Sequence, residues 1–399
     1  MDLDLIRRLS QPHTSKVVLC VLDGLGGLPG SRGRTELEEA DTKNLDRLAE
    51  AGSLGRTYPV GPGIAPGSGP GHMALFGYDP LVFDIGRGAL EGTGIGFKLG
   101  PNDIAARGNL CTLGPDGLIT DRRAGRLATE RTAEVCARLR EIKLPGVETF
   151  VEPVQDQRFL LVLRGEGLSD QLVETDPQHE GMAPIIATAT APEGERTAAL
   201  VQQWVKAAEA MLKDDVPANG LLLRGWSPRP EIPPFPELWK LRAAAITVYP
   251  MYRGVAELCG MTPIPGAHTY AEEIALLKEH WDEYDFFFLH YKYADSAGED
   301  GDFRRKQDAI SAFDELLPQI VDLKPNVLIV TGDHSTPATM ASHSWHTVPL
   351  LIWGDNVRAD DMHQFSETLS RNGELGTLLA KDMMPVAMAH AGRLARYGA

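Results

Sequence analysis

The sequence predicts an α/β protein: a mainly parallel sheet flanked by helices, with a smaller α/β domain inserted into it. Three observations carry this reading. Short, unbroken apolar runs recur near both ends of the chain, and continuous rather than alternating apolarity marks strands covered on both faces. Segments with a helical pattern stand between the later runs, and strands alternating with helices build parallel sheets. The middle of the chain breaks that rhythm, between a glycine-rich stretch and a proline-rich one.

The first strand is Lys16-Val-Val-Leu-Cys-Val-Leu-Asp23, closed by Asp-Gly. A helix is expected over 45–51, behind a start signal at Thr42 or Asn44. Later strands fall at 284–290, 326–331 and 348–353, with helical stretches at 270–281 and 302–316. Between about 98 and 225 lie short β-like runs (159–163, 220–223) and helical segments (131–142, 197–212). The stretch Ser227-Pro-Arg-Pro-Glu-Ile-Pro-Pro-Phe-Pro is too rich in proline for a helix or central strand, because each proline removes a backbone donor. It reads as the linker out of the insert, and glycine-rich 86–100 as the crossing in. The expected division is 1–97 with 235–399 for the larger domain and 98–234 for the insert.

Composition narrows the function classes. Hydrophobic residues make up 43% and charged residues 24%, so a chain of 399 residues can bury a large core. The net charge of −16 gives no global attraction for nucleic acid or an anionic membrane, and neither partner is expected. The start lacks a signal-peptide layout, and no apolar run approaches the ~18–20 residues that span a bilayer. Cys20, Cys111, Cys136 and Cys259 are scattered without a C-x-x-C pair. Buried free thiols and a cytoplasmic location are expected.

Hard metal ligands follow the strand-like runs. Asp23, Asp295, Asp333 and His334 all sit just past such runs or near them, and sites in open α/β sheets form at the carboxyl ends of strands. Taken singly, Asp23 suits a turn or cap as well as a metal, and the Asp333–His334 pair suits capping or catalysis. Ser68 lies in Gly63-Ile-Ala-Pro-Gly-Ser-Gly-Pro-Gly-His72. A free serine is a poor nucleophile near neutral pH, and a divalent ion at the hydroxyl would activate it. By itself the segment also fits a surface turn. Gly24–Gly27 and Gly94-Ile-Gly match neither dinucleotide nor phosphate-loop fingerprints, which excludes a nucleotide site on that basis.

In order, the motifs are Asp23-Gly, Ala-Pro-Gly-Ser68-x-x-x-His-Met-Ala-Leu-Phe-Gly-Tyr-Asp-Pro, Asp295-x-Ala-Gly-x-Asp-Gly-Asp, Gly-Asp333-His334-Ser-Thr-Pro and His343-Ser-x-x-x-Val-Pro. Together they resemble cofactor-independent phosphoglycerate mutases of the archaeal-type branch, within the alkaline phosphatase superfamily. Asp121-Arg-Arg-Ala-Gly-Arg126, Leu163-Arg-Gly-Glu-Gly-Leu-Ser-Asp170 and Asp176-Pro extend the likeness through the middle. The resemblance implies an alkaline-phosphatase-like fold and two divalent ions, Mn²⁺ or Mg²⁺, with no 2,3-bisphosphoglycerate. One ion would be held by Asp23, Asp333, His334 and the Ser68 hydroxyl. The other would be held by Asp295, His343 and the residue four positions after Asp295.

Three positions depart from the family pattern. That last ligand is usually histidine and here is Glu299, which either binds and favours harder cations or points to solvent and leaves the second site weak or absent. His346 stands where a small polar or acidic residue is usual; it replaces the missing imidazole, supports a ligand from behind, or is incidental. Gly69 stands where an acid usually follows the serine, removing whatever acid–base role that acid has.

The resemblance also implies the reaction: 3-phosphoglycerate and 2-phosphoglycerate interconvert through a phosphoserine at Ser68. Arg107, Arg122, Arg123, Arg126 and Arg164 of the insert, with Arg158 nearby, would hold the small phosphorylated acid. Guanidinium forks suit carboxylate and phosphate, and they stand out in a chain of net −16. Asp176 would meet a substrate hydroxyl, and Arg253 and Lys292 the transferring phosphate. A closing insert would keep water from the phosphoenzyme. The alternatives are a phosphohydrolase or other phosphotransferase on the same metal scaffold, and a silent phosphometabolite binder.

Overall fold

The computed structural model describes residues 2–398. The chain divides into two compact units, Met1–Asp84 with Ile232–Ala399, and Ile85–Glu231 between them. In chain order the strands are β1 (Val17–Leu22), β2 (Ser53–Tyr58), β3 (Asp103–Leu113), β4 (Ile119–Asp121), β5 (Glu148–Pro153), β6 (Arg158–Arg164), β7 (Gly220–Pro228), β8 (Ala243–Thr247), β9 (Thr262–Ile264), β10 (Phe286–Tyr291), β11 (Val327–Thr331), β12 (Val348–Gly354) and β13 (Gly376–Leu379).

The discontinuous unit is built on one eight-stranded sheet, in the order β13-β2-β12-β11-β1-β10-β8-β9. β9, β8, β10, β1 and β11 are parallel neighbours. All six residues of β1 and of β10 and all five of β11 are buried, as their unbroken apolarity requires. β12 alone runs against the others, antiparallel to both β11 and β2. The reason is local: 332–347 contains no helix, and a parallel return needs a crossover that is usually helical.

The flanking helices are set by identifiable caps. Tyr270–Glu279 opens with a Thr269/Glu272 capping box, and Phe303–Leu316 with the Asp302 carboxylate accepting from the Arg305 amide. Lys43–Ala51 begins where expected, but the Thr42 side chain makes no cap bond. Asp314 does the capping instead, accepting from the Asn44 and Leu45 amides at 3.0 and 2.7 Å. That contact spans about 270 positions of sequence, so no local pattern announces it.

The continuous unit holds an antiparallel sheet, β4-β3-β6-β5, with β7 on the other side of β3. Helices Thr129–Leu139 and Glu195–Leu212 supply Val135, Cys136, Leu139, Val201 and Trp204 to a core that also takes Phe159 and Leu161. The glycine-rich segment expected to be the crossing is instead mostly the helix Arg87–Gly94, inside this unit. Its Ala89 amide donates to Ser227 Oγ at 2.9 Å. Ser227 and Pro228, expected in the linker, are the last residues of β7. The proline run then leads into the short helix Phe235–Trp239, which tolerates Pro236 in its first turn.

All four cysteines are free and buried. Among the described residues no helix is long and apolar enough to cross a membrane.

Candidate functional site

β10, β1 and β11 are adjacent and parallel, so their carboxyl ends open on one edge of the sheet. Asp23 follows β1, Asp295 lies in the helix Tyr293–Glu299 after β10, and Asp333 and His334 follow β11. Ser68 is the first residue of the helix Ser68–Leu75 rather than part of an irregular turn. The first amides of a helix have no intrahelical acceptor and carry partial positive charge, which suits an anion at its start.

Two groups of ligand atoms gather there. Asp23, Asp333 and His334, all buried, place one ligand atom each within 4.8 Å of one another. His334 Nε2 is 3.4 Å from Asp23 Oδ1, 3.2 Å from Asp333 Oδ2 and 3.2 Å from Ser68 Oγ. Asp23 Oδ1 and Asp333 Oδ2 are buried with no hydrogen-bond partner. Unpaired carboxylate oxygens in a buried pocket are costly unless a cation meets them, so this oxygen-and-nitrogen set fits a divalent ion.

Asp295, His334 and His343 form the second group. His343 Nε2 lies 3.5 Å from Asp295 Oδ1 and 3.5 Å from Glu299 Oε1, with the Glu299 side chain 53% exposed. Asp295 and Glu299 are four apart on one helix, so both carboxylates point to the same face. His334 and His343 stack at 3.7 Å. His346 turns elsewhere: Nδ1 meets Ser344 Oγ at 3.0 Å and the ring stacks on Trp345. It is absent from both groups among the described residues.

Charge in the pocket is set by its neighbours. Burial alone would raise the Asp23 carboxyl, but the His290 hydrogen bond and the charges of Lys292 and His334 hold it well below the usual range. Asp333 is pushed up by burial and by Asp23, yet His334 and His72 bring it below its ordinary value. The Lys292 ammonium donates to Asp23 Oδ2 at 3.2 Å and to Asp295 Oδ2 at 2.6 Å. Burial disfavours that charge, but Asp23, Tyr252 and Asp295 raise its pKa far above the usual lysine value. The ammonium therefore stays charged between one carboxylate of each group.

The residues expected to bind substrate divide. Arg107, Arg123 and Arg126 line a hollow of about 270 Å³ together with Arg158, Asp156 and Gln157. Burial lowers the Arg107 pKa, Glu91 opposes this, and the positive charges of Arg158, Arg87 and Arg224 lower it further. Such crowding of like charge favours an anion. Arg122 donates to buried Asp176 at 2.7 Å, and Arg224 approaches the same carboxylate at 3.9 Å. Arg164 is not part of the hollow. It forms a two-pronged pair with Asp103 at 2.7 and 2.8 Å and lies over the Phe150 ring. Arg253 donates to the Thr247 carbonyl at 3.3 Å.

Several residues around the centre were not singled out from sequence. His72 Nδ1 meets the Ser68 carbonyl at 2.8 Å and lies 3.3 Å from Asp333 Oδ2. His290 Nε2 holds Asp23 Oδ2 at 2.9 Å, and its ring stacks on Tyr252 at 3.6 Å. A histidine near the end of a buried strand was a usable signal for His290. In the insert, no local signal marked Arg87 or Arg224, whose charges crowd Arg107.

Comparison with known proteins is consistent along the whole chain. The family profile "2,3-bisphosphoglycerate-independent phosphoglycerate mutase" matches residues 49–219. A Thermus thermophilus protein named "Probable 2,3-bisphosphoglycerate-independent phosphoglycerate mutase" is 48% identical over 100% of both chains. One of the same name from Thermotoga maritima is 46% identical over 99% of both. Among solved structures, the cofactor-independent phosphoglycerate mutase of Thermoplasma acidophilum matches at TM-score 0.74 and 30% identity, over 94% of this chain and 100% of that one. A Pyrococcus horikoshii protein matches at TM-score 0.83 and 30% identity, over 97% and 100%. The chain is thus an enzyme, an isomerase, and belongs to the 2,3-bisphosphoglycerate-independent phosphoglycerate mutase family.

Proposed function

We propose that this enzyme interconverts 3-phosphoglycerate and 2-phosphoglycerate through a phosphoserine at Ser68, in a centre that takes two divalent ions. The observation that carries the reading is Ser68 Oγ at 3.2 Å from His334 Nε2, which itself lies between the unpaired oxygens of Asp23 and Asp333. Asp23, Asp333, His334 and Ser68 would hold one ion, and Asp295, His343 and Glu299 the other. Bound there, the ions would lower the pKa of the serine hydroxyl and neutralise phosphoryl charge.

The chain's own groups do the rest. Ser68 Oγ gives up its proton and attacks phosphorus, while the bond from phosphorus to the C3 oxygen breaks and that oxygen takes a proton. Glycerate reorients, and its C2 oxygen attacks the phosphoserine, losing a proton as Ser68 Oγ leaves and regains one. The first turn of the helix Ser68–Leu75 and the Lys292 ammonium face developing negative charge. The arginine hollow with Arg107, Arg123 and Arg126, and Arg122 beside Asp176, offer the anion and hydroxyl contacts.

The test measures 2-phosphoglycerate and free phosphate together while Mn²⁺ is added to metal-free protein. Isomer without phosphate supports the proposal. Phosphate without isomer assigns a phosphohydrolase, and neither product rejects both.

A further inference from the structure

Thr336 belongs to neither ligand group, yet it touches both. Its buried Oγ1 lies 2.7 Å from Asp295 Oδ1 and 2.9 Å from His334 Nδ1. A hydroxyl has one proton. The carboxylate only accepts, so Oγ1 donates to Asp295 and accepts from the ring N–H at Nδ1. That arrangement leaves Nε2 as the nitrogen with a free lone pair, and Nε2 is the atom facing Ser68, Asp23 and Asp333. It also removes Nδ1 from contention as a ligand, which assigns His334 to the first cation position and leaves Asp295 and His343 to the second.

The Thr336 backbone is itself held from behind. Lys306, fully buried, donates to the Thr336 carbonyl at 2.8 Å and to the Gly26 carbonyl at 2.9 Å. The segments that follow Asp23 and His334 are thereby pinned to one ammonium. Space around Thr336 is equally constrained. A Cβ on Gly24, at φ +67°, would stand 2.6 Å from Thr336 Oγ1, and one on Gly298 would stand 2.3 Å from the Thr336 carbonyl oxygen.

We infer that Thr336 is a positioning residue that couples the two cation positions, fixing the His334 tautomer and holding Asp295 through one hydroxyl. The inference rests on the metal reading above. Partners that orient metal ligands are typically worth about 10–100-fold in metal affinity. Thr336→Val keeps the shape and loses the hydroxyl, Thr336→Ala does so with a smaller side chain should valine disturb folding, and Thr336→Ser restores the hydroxyl.

Metal-free wild type and variants are titrated with Mn²⁺ in a calorimeter, and the visible absorption of Co²⁺-loaded protein is recorded. The expected result is two binding events in wild type and in Thr336→Ser. In Thr336→Val or Thr336→Ala both events weaken about tenfold or more, and the Co²⁺ bands change. Wild-type affinity in the hydroxyl-free variants, weakening of one event alone, or a Ser variant as weak as Val would overturn the inference while leaving the metal centre standing. A wild type that binds no Mn²⁺ would remove the metal centre itself.

Discussion

Lys306→Met deletes the buried ammonium beneath the centre while keeping most of the side-chain volume. Two hydrogen bonds from a charged donor disappear, to the Gly26 and Thr336 carbonyls, each worth about 1.5–3 kcal/mol. Glu36, whose Oε1 lies 3.9 Å from the ammonium, is left buried without a cation. Relief of the lysine's own desolvation offsets part of this. The net matches the removal of one partner from a buried ion pair, about 3–5 kcal/mol, against a total stability on the order of 5–15 kcal/mol for a domain. The assay is urea unfolding of metal-free protein followed by tryptophan fluorescence. Replacing Glu36 as well, in Lys306→Met/Glu36→Gln, keeps an acceptor for the Ala338 amide now bound at 2.7 Å and removes the stranded charge. The double variant should recover part of the loss. A single variant within about 1 kcal/mol of wild type, or a double variant no better than the single, would refute the reasoning.

Other outcomes follow from the same geometry. Glu299→Ala should lower bound Mn²⁺ from two ions to about one, read by metal analysis after gel filtration; unchanged stoichiometry would show that Glu299 is not a ligand. Arg107→Gln should raise KM by roughly tenfold, the loss of one charge-assisted contact, and an unchanged KM would remove the arginine hollow from substrate binding. Burial pushes the Glu367 carboxyl up to about 7, against opposing hydrogen bonds from Thr35 and the Gly27 amide. Its folded pKa lies above the unfolded one, so its stabilising contribution is complete below the ordinary glutamate range and is lost as pH rises through about 7. Glu367→Gln should therefore flatten the fall in stability between about pH 5 and pH 8; an identical slope in variant and wild type would show that this group does not titrate there.

The parts of the fold that could be read from sequence share a physical cause. β1, β10 and β11 are covered on both faces, so their apolar runs are unbroken and their ends visible. Helices with local caps, such as Tyr270–Glu279, were equally readable. What stayed hidden depends on distant chain. Asp314 caps a helix about 270 positions away, and Arg87–Gly94 is a helix despite three glycines within it because its environment holds it. The same holds for the site. Asp23, Asp333 and His334 stand at strand ends in motifs of fixed order, whereas Thr336, Lys306 and Arg224 matter only through what folding brings to them. Arg164 joins the other arginines of the insert only through the resemblance, since it lies apart from them in sequence, and β6 sets it against Asp103.

The most direct measurement is intact-protein mass spectrometry after rapid quenching with 3-phosphoglycerate and Mn²⁺. A single added phosphoryl group should appear, map to Ser68, and vanish in Ser68→Ala while that variant keeps its fold and its second metal ion. A fully active Ser68→Ala enzyme, or a phosphoryl group on any other residue, would contradict the account.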